Sequence, residues 1–260
     1  ISTNIIKRLT FSLTNDQKKT LNEINKDLKS EERMFRIIQG DVGSGKTIVS
    51  LLAIANAIES NYQCAFMGPT EILAKQHYQL AKKIFLTNNF NIEFLTGKTE
   101  IKKRKIILDN LENGKIDLLF GTHALFQKKV NFKNLGFVVI DEQHKFGVKQ
   151  RSEFAKKGGN NCDVLLMSAT PIPRTMMMSF YGDMDISKIT EKPSERKKII
   201  TLSKPESKIN ELWPFLKKQI DNKNQIFWVC PLIDDSKFLD YSSVKKKYSI
   251  ISKKFPDKVG

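Results

Sequence analysis

The sequence has few cysteines, and none of them form a pair at metal-binding spacing. Its three cysteines, Cys64, Cys162 and Cys230, lie singly in apolar stretches, and no C-x-x-C motif occurs. Isolated thiols in odd number argue against a disulfide framework and against a zinc site. We therefore expect a reducing compartment and a cytoplasmic location.

The chain also lacks any long apolar run. No uninterrupted hydrophobic segment approaches the roughly 20 residues that a membrane helix needs. The first ten residues, ISTNIIKRLT, contain neither an initiator Met nor a signal-peptide core. We therefore expect no membrane partner and interpret the sequence as part of a longer chain. Its 260 residues, 40% hydrophobic and 28% charged, suffice for one large or two modest globular domains.

Arginine is scarce although the chain is strongly basic. The formal net charge is +16, from 44 basic and 28 acidic residues, but only seven of the basic residues are arginine. Such a basic excess favours a polyanionic partner, whereas a general drift toward lysine would produce it without one. The scarcity makes each arginine informative, because its planar fork forms bidentate contacts that lysine cannot.

Short apolar runs alternate with longer helical stretches over the first 190 residues. The runs are nearly free of polar residues, which predicts strands covered on both faces: FRIIQ (35–39), CAFMG (64–68), IEFLT (92–96), DLLFG (117–121), FVVID (137–141) and DVLLMSA (163–169). Helical spacing separates them, as in the stripe formed by Ile48, Leu51, Leu52, Ala55 and Ile58. The alternation predicts an α/β domain with a parallel sheet flanked by helices.

The pattern changes after about residue 190. The stretch EKPSERKK is polar and contains proline; then the strand-like runs KIITL (198–202) and IFWVCPLI (226–233) alternate with helical stretches near 208–220 and 236–255. We therefore assign residues 1–190 to a first domain, and residues 191–260 to a linker and the incomplete start of a second. The second part is too short to close a sheet around its own core.

The most specific motif is a phosphate-binding loop at residues 40–47. The sequence GDVGSGKT matches G-x-x-x-x-G-K-[ST] and lies between a predicted strand and a predicted helix, which is the context that this motif requires. The residues expected to bind ATP through this loop are Gly40, Gly43, Ser44, Gly45, Lys46 and Thr47. Lys46 would reach the β and γ phosphates, and the Thr47 hydroxyl would bind Mg²⁺.

Two acids follow the predicted strand FVVID. Carboxyl ends of parallel strands face ligands in open α/β sheets. Asp141 is therefore expected to bind Mg²⁺, and Glu142 to position or deprotonate the water that attacks ATP. Paired acids also cap helices, but a phosphate loop earlier in the same predicted sheet favours ATP hydrolysis.

Seven segments together resemble superfamily 2 helicases, and in particular the motor of the RecG family of ATP-dependent DNA helicases. They occur in that family's order: FSLTNDQ (11–17), IIQGDVGSGKT (37–47), GPTEILAKQH (68–77), LTG (95–97), GTHALFQ (121–127), VVIDEQHKFGVKQR (138–151) and MSATPIPRT (167–175). The resemblance implies a RecA-like P-loop NTPase lobe followed by the beginning of a second RecA-like lobe. It also implies ATP and Mg²⁺ as cofactors and branched double-stranded DNA, such as forks and Holliday junctions, as the partner.

The resemblance assigns further roles to individual residues. It implies that Phe11 and Gln17 contact adenine, and that Gln143 and His144 sense the γ-phosphate. It implies that the nucleotide is coupled to the lobe interface by Ser168, Ala169, Thr170 and Arg174. The loops implied to bind the DNA backbone contain Pro69, Thr70, Glu71, Thr96, Gly97, Gly121, Thr122 and His123. Taken singly, such residues are also typical of turns and helix caps.

The resemblance also implies parts that we do not expect in these 260 residues. It implies that a second lobe supplies arginines to the γ-phosphate, yet no arginine follows Arg196, and it implies a wedge domain for branched DNA, which we expect to be absent here. We therefore expect the 260 residues alone to bind ATP but hydrolyse it slowly. Two alternatives stay open. One is a transcription-repair coupling translocase, which is expected to carry Glu at position 143, and the other is a non-catalytic module that binds ATP and DNA.

Overall fold

The computed structural model describes residues 2–141, 162–170, 184–192, 199–233 and 243–260. The chain divides into two compact units, Ile1–Arg196 and Lys197–Gly260. The predicted boundary after residue 190 lies close to this division, and the assignment of the second unit to a second motor lobe stays a prediction. The predicted site residues Glu142, Gln143, His144 and Arg174 lie outside the described residues.

The first unit alternates strands with helices. Its strands are β1 (Phe35–Gly40), β2 (Gln63–Met67), β3 (Ile92–Leu95), β4 (Leu118–Gly121), β5 (Leu135–Ile140), β6 (Asp163–Ser168) and β7 (Asp185–Ile189). Its described helices are α1 (Ser2–Arg8), α2 (Asn15–Asp27), α3 (Lys46–Glu59), α4 (Glu71–Ile84), α5 (Ile101–Glu112) and the 3₁₀ helix His123–Phe126. No helix in the described ranges is long and apolar enough to cross a membrane.

The strands form one sheet in the order β3-β4-β2-β5-β6-β1-β7, and all neighbouring pairs are parallel. Side chains alternate between the faces of each strand. Cys64 and Phe66 of β2 therefore enter one apolar core, and Ala65 and Met67 enter the other. The predicted parallel sheet flanked by helices is confirmed.

Strand β7 is the one strand of the described sheet that the apolar-run criterion missed. Its sequence DISKI contains three polar residues among five, since it lies at the edge of the sheet and only part of it is buried. Edge strands need no apolar residues on both faces. The criterion of a nearly unbroken apolar run therefore overlooks this strand.

Helix α3 is buried on most of its surface. The predicted stripe described one face, but ten of its 14 residues are buried, including Val49, Ala53 and Ile54. A helix that is apolar all round belongs in a core. The burial fixes α3, whose first two residues, Lys46 and Thr47, are the last two of the phosphate loop, and thereby anchors that end of the loop.

Arg36, one of the seven arginines, is buried in an ionic network that joins β1, α2 and β7. Its Nε donates to Asp27 Oδ2 at 2.6 Å, and its Nη1 donates to Ser187 Oγ at 3.0 Å. The carboxylates of Glu23 and Asp185 each lie 3.6 Å from the guanidinium. This arrangement uses several arms of the planar fork, which a lysine ammonium cannot reproduce.

Two cysteines belong to the core of the first unit. Cys64 and Cys162 are fully buried. Burial raises the pKa of the Cys64 thiol well above its ordinary value and that of Cys162 to about 12. Both thiols are therefore protonated at neutral pH and act as small apolar core residues.

The second unit contains the helices α6 (Leu212–Asp221) and α7 (Val244–Lys254), preceded by the 3₁₀ helix Glu206–Glu211. The prediction of strands at KIITL and IFWVCPLI is wrong, because the described residues 199–233 and 243–260 form no strand. A strand needs a partner to pair its backbone N–H and C=O groups, and the described part of this unit offers none. Instead, Trp213 and Trp228 stack with ring centroids 5.9 Å apart.

Candidate nucleotide-binding site

The phosphate loop joins the end of β1 to the start of α3. Gly43 and Gly45 have φ angles of 78° and 90°, in the left-handed region that glycine adopts without a steric cost. The Lys46 ammonium donates to the carbonyls of Gly40 at 2.5 Å and Asp41 at 3.1 Å, so it lies against the loop. An ammonium beside backbone N–H groups at a helix N-terminus makes an anion-binding site.

Two features of this loop fit a nucleotide phosphate. Ser44 is buried, yet its Oγ has no hydrogen-bond partner within the described parts of the chain. A buried unpaired hydroxyl costs about 1–3 kcal/mol, which a phosphate oxygen would recover. At Gly40 a Cβ atom would lie 2.5 Å from Ser44 Oγ and 2.8 Å from the Ile189 carbonyl, so no side chain fits there.

The Gln17 side chain is hydrogen-bonded to the phosphate loop. Thr14 and Gln17 form a capping box at the start of α2, in which the Thr14 N–H donates to Gln17 Oε1 at 3.0 Å. Gln17 Nε2 donates to the Ser44 carbonyl at 2.7 Å, and the side chain is buried. The amide expected to contact adenine thus also supports the loop, while Phe11 is 43% exposed. The adenine contact itself stays a prediction.

Asp141 follows β5 at the same edge of the sheet. Its N–H donates to the Met67 carbonyl at 2.9 Å, and its Oδ2 lies 2.8 Å from His77 Nε2. Only β6 separates β5 from β1. The described residues contain no group of three or more His, Cys, Asp or Glu side chains arranged for a metal. The assignment of Asp141 and Thr47 as ligands of Mg²⁺ stays a prediction.

The segment Ser168-Ala169-Thr170 follows β6, the strand between the phosphate loop and Asp141. Ser168 is buried, and its Oγ accepts from the Thr170 N–H at 3.2 Å and lies 3.1 Å from Thr170 Oγ1. The segment is therefore a closed turn with Thr170 on its exposed side. The coupling role of this segment stays a prediction.

The three loops predicted to contact DNA follow β2, β3 and β4. These strands are neighbours, so the loops lie side by side at the carboxyl edge. Thr70 caps α4, because its Oγ1 accepts from the Leu73 N–H at 3.3 Å. Three of the predicted residues, Thr70, Gly97 and His123, are exposed; Pro69, Glu71 and Thr122 are half-buried, whereas Thr96 and Gly121 are buried.

The buried Thr96 side chain stabilises its own loop and does not expose its hydroxyl to solvent. Its Oγ1 accepts from the Lys98 N–H at 3.3 Å, and its N–H donates to Thr99 Oγ1 at 2.9 Å. Arg104 donates to the Thr96 carbonyl at 3.3 Å and also to Gln127, which joins this loop to the one after β4. Lys98 and Arg104 are not among the residues predicted for these loops, although the scarcity of arginine was a signal for Arg104.

A clasp of two carboxylates joins the start of α2 to the segment after β7. Asp16 Oδ2 accepts from the Thr190 N–H and Oγ1, both at 2.7 Å, and from the Glu191 N–H at 2.9 Å. In return Glu191 Oε2 accepts from the Asn15 N–H at 2.7 Å and the Asp16 N–H at 3.2 Å. Hydrogen bonds from Thr190 and Glu191 lower the pKa of Asp16. No local pattern reveals this contact, which spans about 175 residues.

The clasp predicts a stability difference that depends on pH. In the folded chain the pKa of Asp16 lies below its ordinary value of about 3.9. The free energy by which the ionised Asp16 stabilises the fold is therefore fully present above that ordinary value, and it is lost as the pH falls through the folded pKa. Asp16→Asn should therefore lower the melting temperature slightly at pH 7, and the difference from the parent chain should shrink in acid. Thermal unfolding between pH 2 and pH 7 measures this.

Asp109→Asn, at an exposed position of α5, is the matched control. It should leave the melting temperature unchanged both at pH 7 and in acid. A deficit of Asp16→Asn that is equally large at pH 7 and at pH 2 would show that the Asp16 charge contributes nothing.

Comparison with known proteins identifies the family. The sequence model of the DEAD/DEAH box helicases matches residues 14–179, which include the phosphate loop, Asp141 and the Ser168 turn. The chain belongs to the DEAD/DEAH box helicase family. This helicase chain therefore carries the ATP-binding lobe that its fold suggests.

Within this family, the chain is similar to individual RecG helicases. The chain is 47% identical over 253 residues to the ATP-dependent DNA helicase RecG of Thermotoga maritima, covering 97% of this chain and 32% of that protein. It is 44% identical over 253 residues to RecG of Bacillus subtilis, covering 97% and 37%. The helicase chain thus spans about a third of the length of these curated relatives.

Solved structures agree with the sequence comparisons. The structure of RecG bound to a three-way DNA junction matches with a TM-score of 0.81 and 41% identity, covering 97% of this chain and 33% of that chain. The DEAD-box helicase Mss116, bound to ssRNA and UDP-BeF, shares the fold with a TM-score of 0.63 and 22% identity, covering 85% and 50%. The predicted RecA-like lobe and the predicted similarity to a RecG-type motor region are confirmed.

Proposed function

We propose that this helicase lobe is part of a motor that uses ATP hydrolysis to translocate on double-stranded DNA and to remodel branched DNA. One observation carries the proposal: the phosphate loop, Asp141 and the loops after β2, β3 and β4 all lie at the carboxyl edge of one sheet. Because the nucleotide site and the DNA-contacting loops lie on one rigid edge, a conformational change at the nucleotide site can be transmitted to the DNA-contacting loops. The similarity to a RecG that was solved with a three-way DNA junction supports branched DNA as the substrate.

The nucleotide would be held by the residues of the loop. Lys46 and the backbone N–H groups before α3 would bind the phosphates, the Ser44 hydroxyl would gain its missing partner, and Gln17 would keep the loop in shape. Thr47 and Asp141 would hold Mg²⁺, which neutralises phosphate charge when it is bound. Glu142, outside the described residues, is the proposed group that positions or deprotonates the attacking water.

The DNA backbone would meet the exposed parts of the three loops. Thr70 stands at the N-terminus of α4, where the helix dipole favours a phosphate, and Lys98 and His123 are exposed nearby along the same edge. Phosphate contacts of this kind position a protein on DNA without reading the sequence. The proposed motor is therefore indifferent to base sequence.

This interface predicts DNA binding that depends steeply on salt. Each neutralised phosphate contributes about 0.9 to the slope of log affinity against log salt concentration. Fluorescence anisotropy with two unrelated sequences, measured at several salt concentrations, should give the same affinity for both and the same steep slope. A marked preference for one sequence, or an affinity that salt does not change, would contradict the proposal.

The motor is tested by ATP hydrolysis. An arginine supplied to the γ-phosphate is worth roughly 10³–10⁵ in rate, and residues 197–260 contain none. The 260 residues alone should bind Mg·ATP and release phosphate slowly, with little response to a three-way junction. The product of the complete gene should hydrolyse ATP rapidly in response to the same DNA. If that product binds both ligands without turnover, the chain is instead a non-catalytic ATP- and DNA-binding module.

Two further proposals concern the setting of this lobe. The second unit, Lys197–Gly260, would be the start of a second RecA-like lobe, as the 97% coverage of the chain by RecG relatives supports. A cytoplasmic location is proposed from the isolated cysteines, of which Cys64 and Cys162 are buried.

A further inference from the structure

One side chain in direct contact with the proposed metal ligand has no role in the proposed function. His77 lies on α4, and its Nε2 is 2.8 Å from Asp141 Oδ2. Both side chains are nearly buried, with 13% and 11% of their areas exposed. A contact of this length between an imidazole and a carboxylate falls in the range of a charge-assisted hydrogen bond. Shielding from water strengthens such a bond.

The surroundings hold both partners in place. The His77 ring packs on Phe66, with centroids 4.8 Å apart, and Phe66 stacks on Phe120 at 5.1 Å. Asp141 is tied to the neighbouring strand, since its N–H donates to the Met67 carbonyl at 2.9 Å. Phe66 and Met67 are consecutive residues of β2 and point to opposite faces of the sheet. One strand therefore positions the imidazole through a ring contact and the aspartate through its backbone.

We propose that His77 is a positioning residue for Asp141, which it holds in the orientation that binds the Mg²⁺ of the nucleotide. The inference rests on the proposed function, because it takes Asp141 as the metal ligand. A carboxylate has about four lone-pair directions, of which a bond from His77 uses one, so the bond is compatible with a metal ion or its water on the same group.

The expected effect follows from the behaviour of metal sites in general. Groups that hydrogen-bond a metal-binding side chain orient it, and removing them typically costs about 10–100-fold in metal affinity. The effect should fall on the metal and not on the nucleotide, because the phosphate loop is built from β1 and α3, whereas His77 belongs to α4. This separation distinguishes a positioning role from a general loss of structure.

The experiment compares two variants that differ in the hydrogen bond. His77→Phe keeps a ring against Phe66 but removes the donor, while His77→Gln restores an N–H donor at about the same reach. Gln79→Ala, at an exposed position of the same helix, is the control. Mn²⁺ binding in the presence of a non-hydrolysable ATP analogue is measured by electron paramagnetic resonance, and affinity for the metal-free analogue is measured by calorimetry in EDTA.

His77→Phe should bind Mn²⁺ about 10–100-fold more weakly, with metal-free nucleotide affinity unchanged, and His77→Gln should recover most of the loss. Unchanged Mn²⁺ affinity in His77→Phe overturns the inference, and so does an equal loss of metal-free nucleotide affinity. If His77→Phe does not fold, His77→Ala takes its place under the same criteria. The parent chain reports on the proposed function separately: if it binds no Mn²⁺ with the analogue, the nucleotide site itself is wrong.

Discussion

Replacing Lys46 by Ala should reduce ATP hydrolysis by the complete gene product by about 10²–10³-fold, the range found when one charge-stabilising donor is removed from a reacting group. The Lys46 ammonium is the positively charged group of the phosphate loop, and it donates to the loop carbonyls of Gly40 and Asp41. Its loss removes the positive charge at the transferred phosphate. Steady-state phosphate release and calorimetric titration with Mg·ATP measure the effect.

The matched control is Lys26→Ala, which removes a lysine from an exposed position of α2. It should leave phosphate release within about two-fold of the parent rate, as expected for a surface position. Near-normal hydrolysis by Lys46→Ala would show that the assignment of the phosphate loop to the nucleotide site is wrong. A melting temperature equal to that of the parent chain excludes unfolding as the cause of a loss.

Replacing Arg36 by Met should destabilise the first unit by about 3 kcal/mol, because it leaves Asp27, whose side chain is 20% exposed, without its ion-pair partner and removes the buried bond to Ser187. The buried guanidinium faces Asp27, Glu23 and Asp185 and bonds Ser187. At roughly 2–4 °C per kcal/mol for a unit of this size, the melting temperature should fall by about 10 °C. Thermal and urea unfolding of the 260-residue chain measure the change.

Two further variants give the prediction its contrast. Arg36→Lys keeps the positive charge but loses the planar fork of the guanidinium. Its melting temperature should lie between those of Arg36→Met and the parent chain. Arg8→Met, at an exposed position of α1, should shift the melting temperature little. If Arg36→Met were as stable as the parent chain, the network would be compensated by other packing and the scarce arginine would have no structural reason at this position.

Much of the architecture was predictable because its signals are local. The six nearly unbroken apolar runs of the first 190 residues all form strands of the sheet. The phosphate loop is eight consecutive residues between a strand and a helix, and its glycines at positions 43 and 45 adopt the left-handed angles that the motif needs. The strands expected at KIITL and IFWVCPLI failed, because an apolar run becomes a strand only if a partner is available to it.

The candidate site was less predictable than the fold. The phosphate loop and Asp141 could be found from spacing alone, and their edge of the sheet followed from the parallel topology. The interpretation of Thr96 and Gln17 was incomplete, since burial and bonding decide what a polar side chain does. Thr96 is internal to its loop, and Gln17 bonds the Ser44 carbonyl.

The sequence by itself determined the family, the parallel α/β class and the position of the phosphate loop, since each depends on residues that are neighbours along the chain. Only the tertiary structure decided that His77 meets Asp141, 64 residues away, and that Asp16 binds the backbone beyond β7 across 175 residues. The strand order places β2 beside β5, and β1 between β6 and β7. Contacts of this kind depend on that order, which periodicity along the chain does not encode.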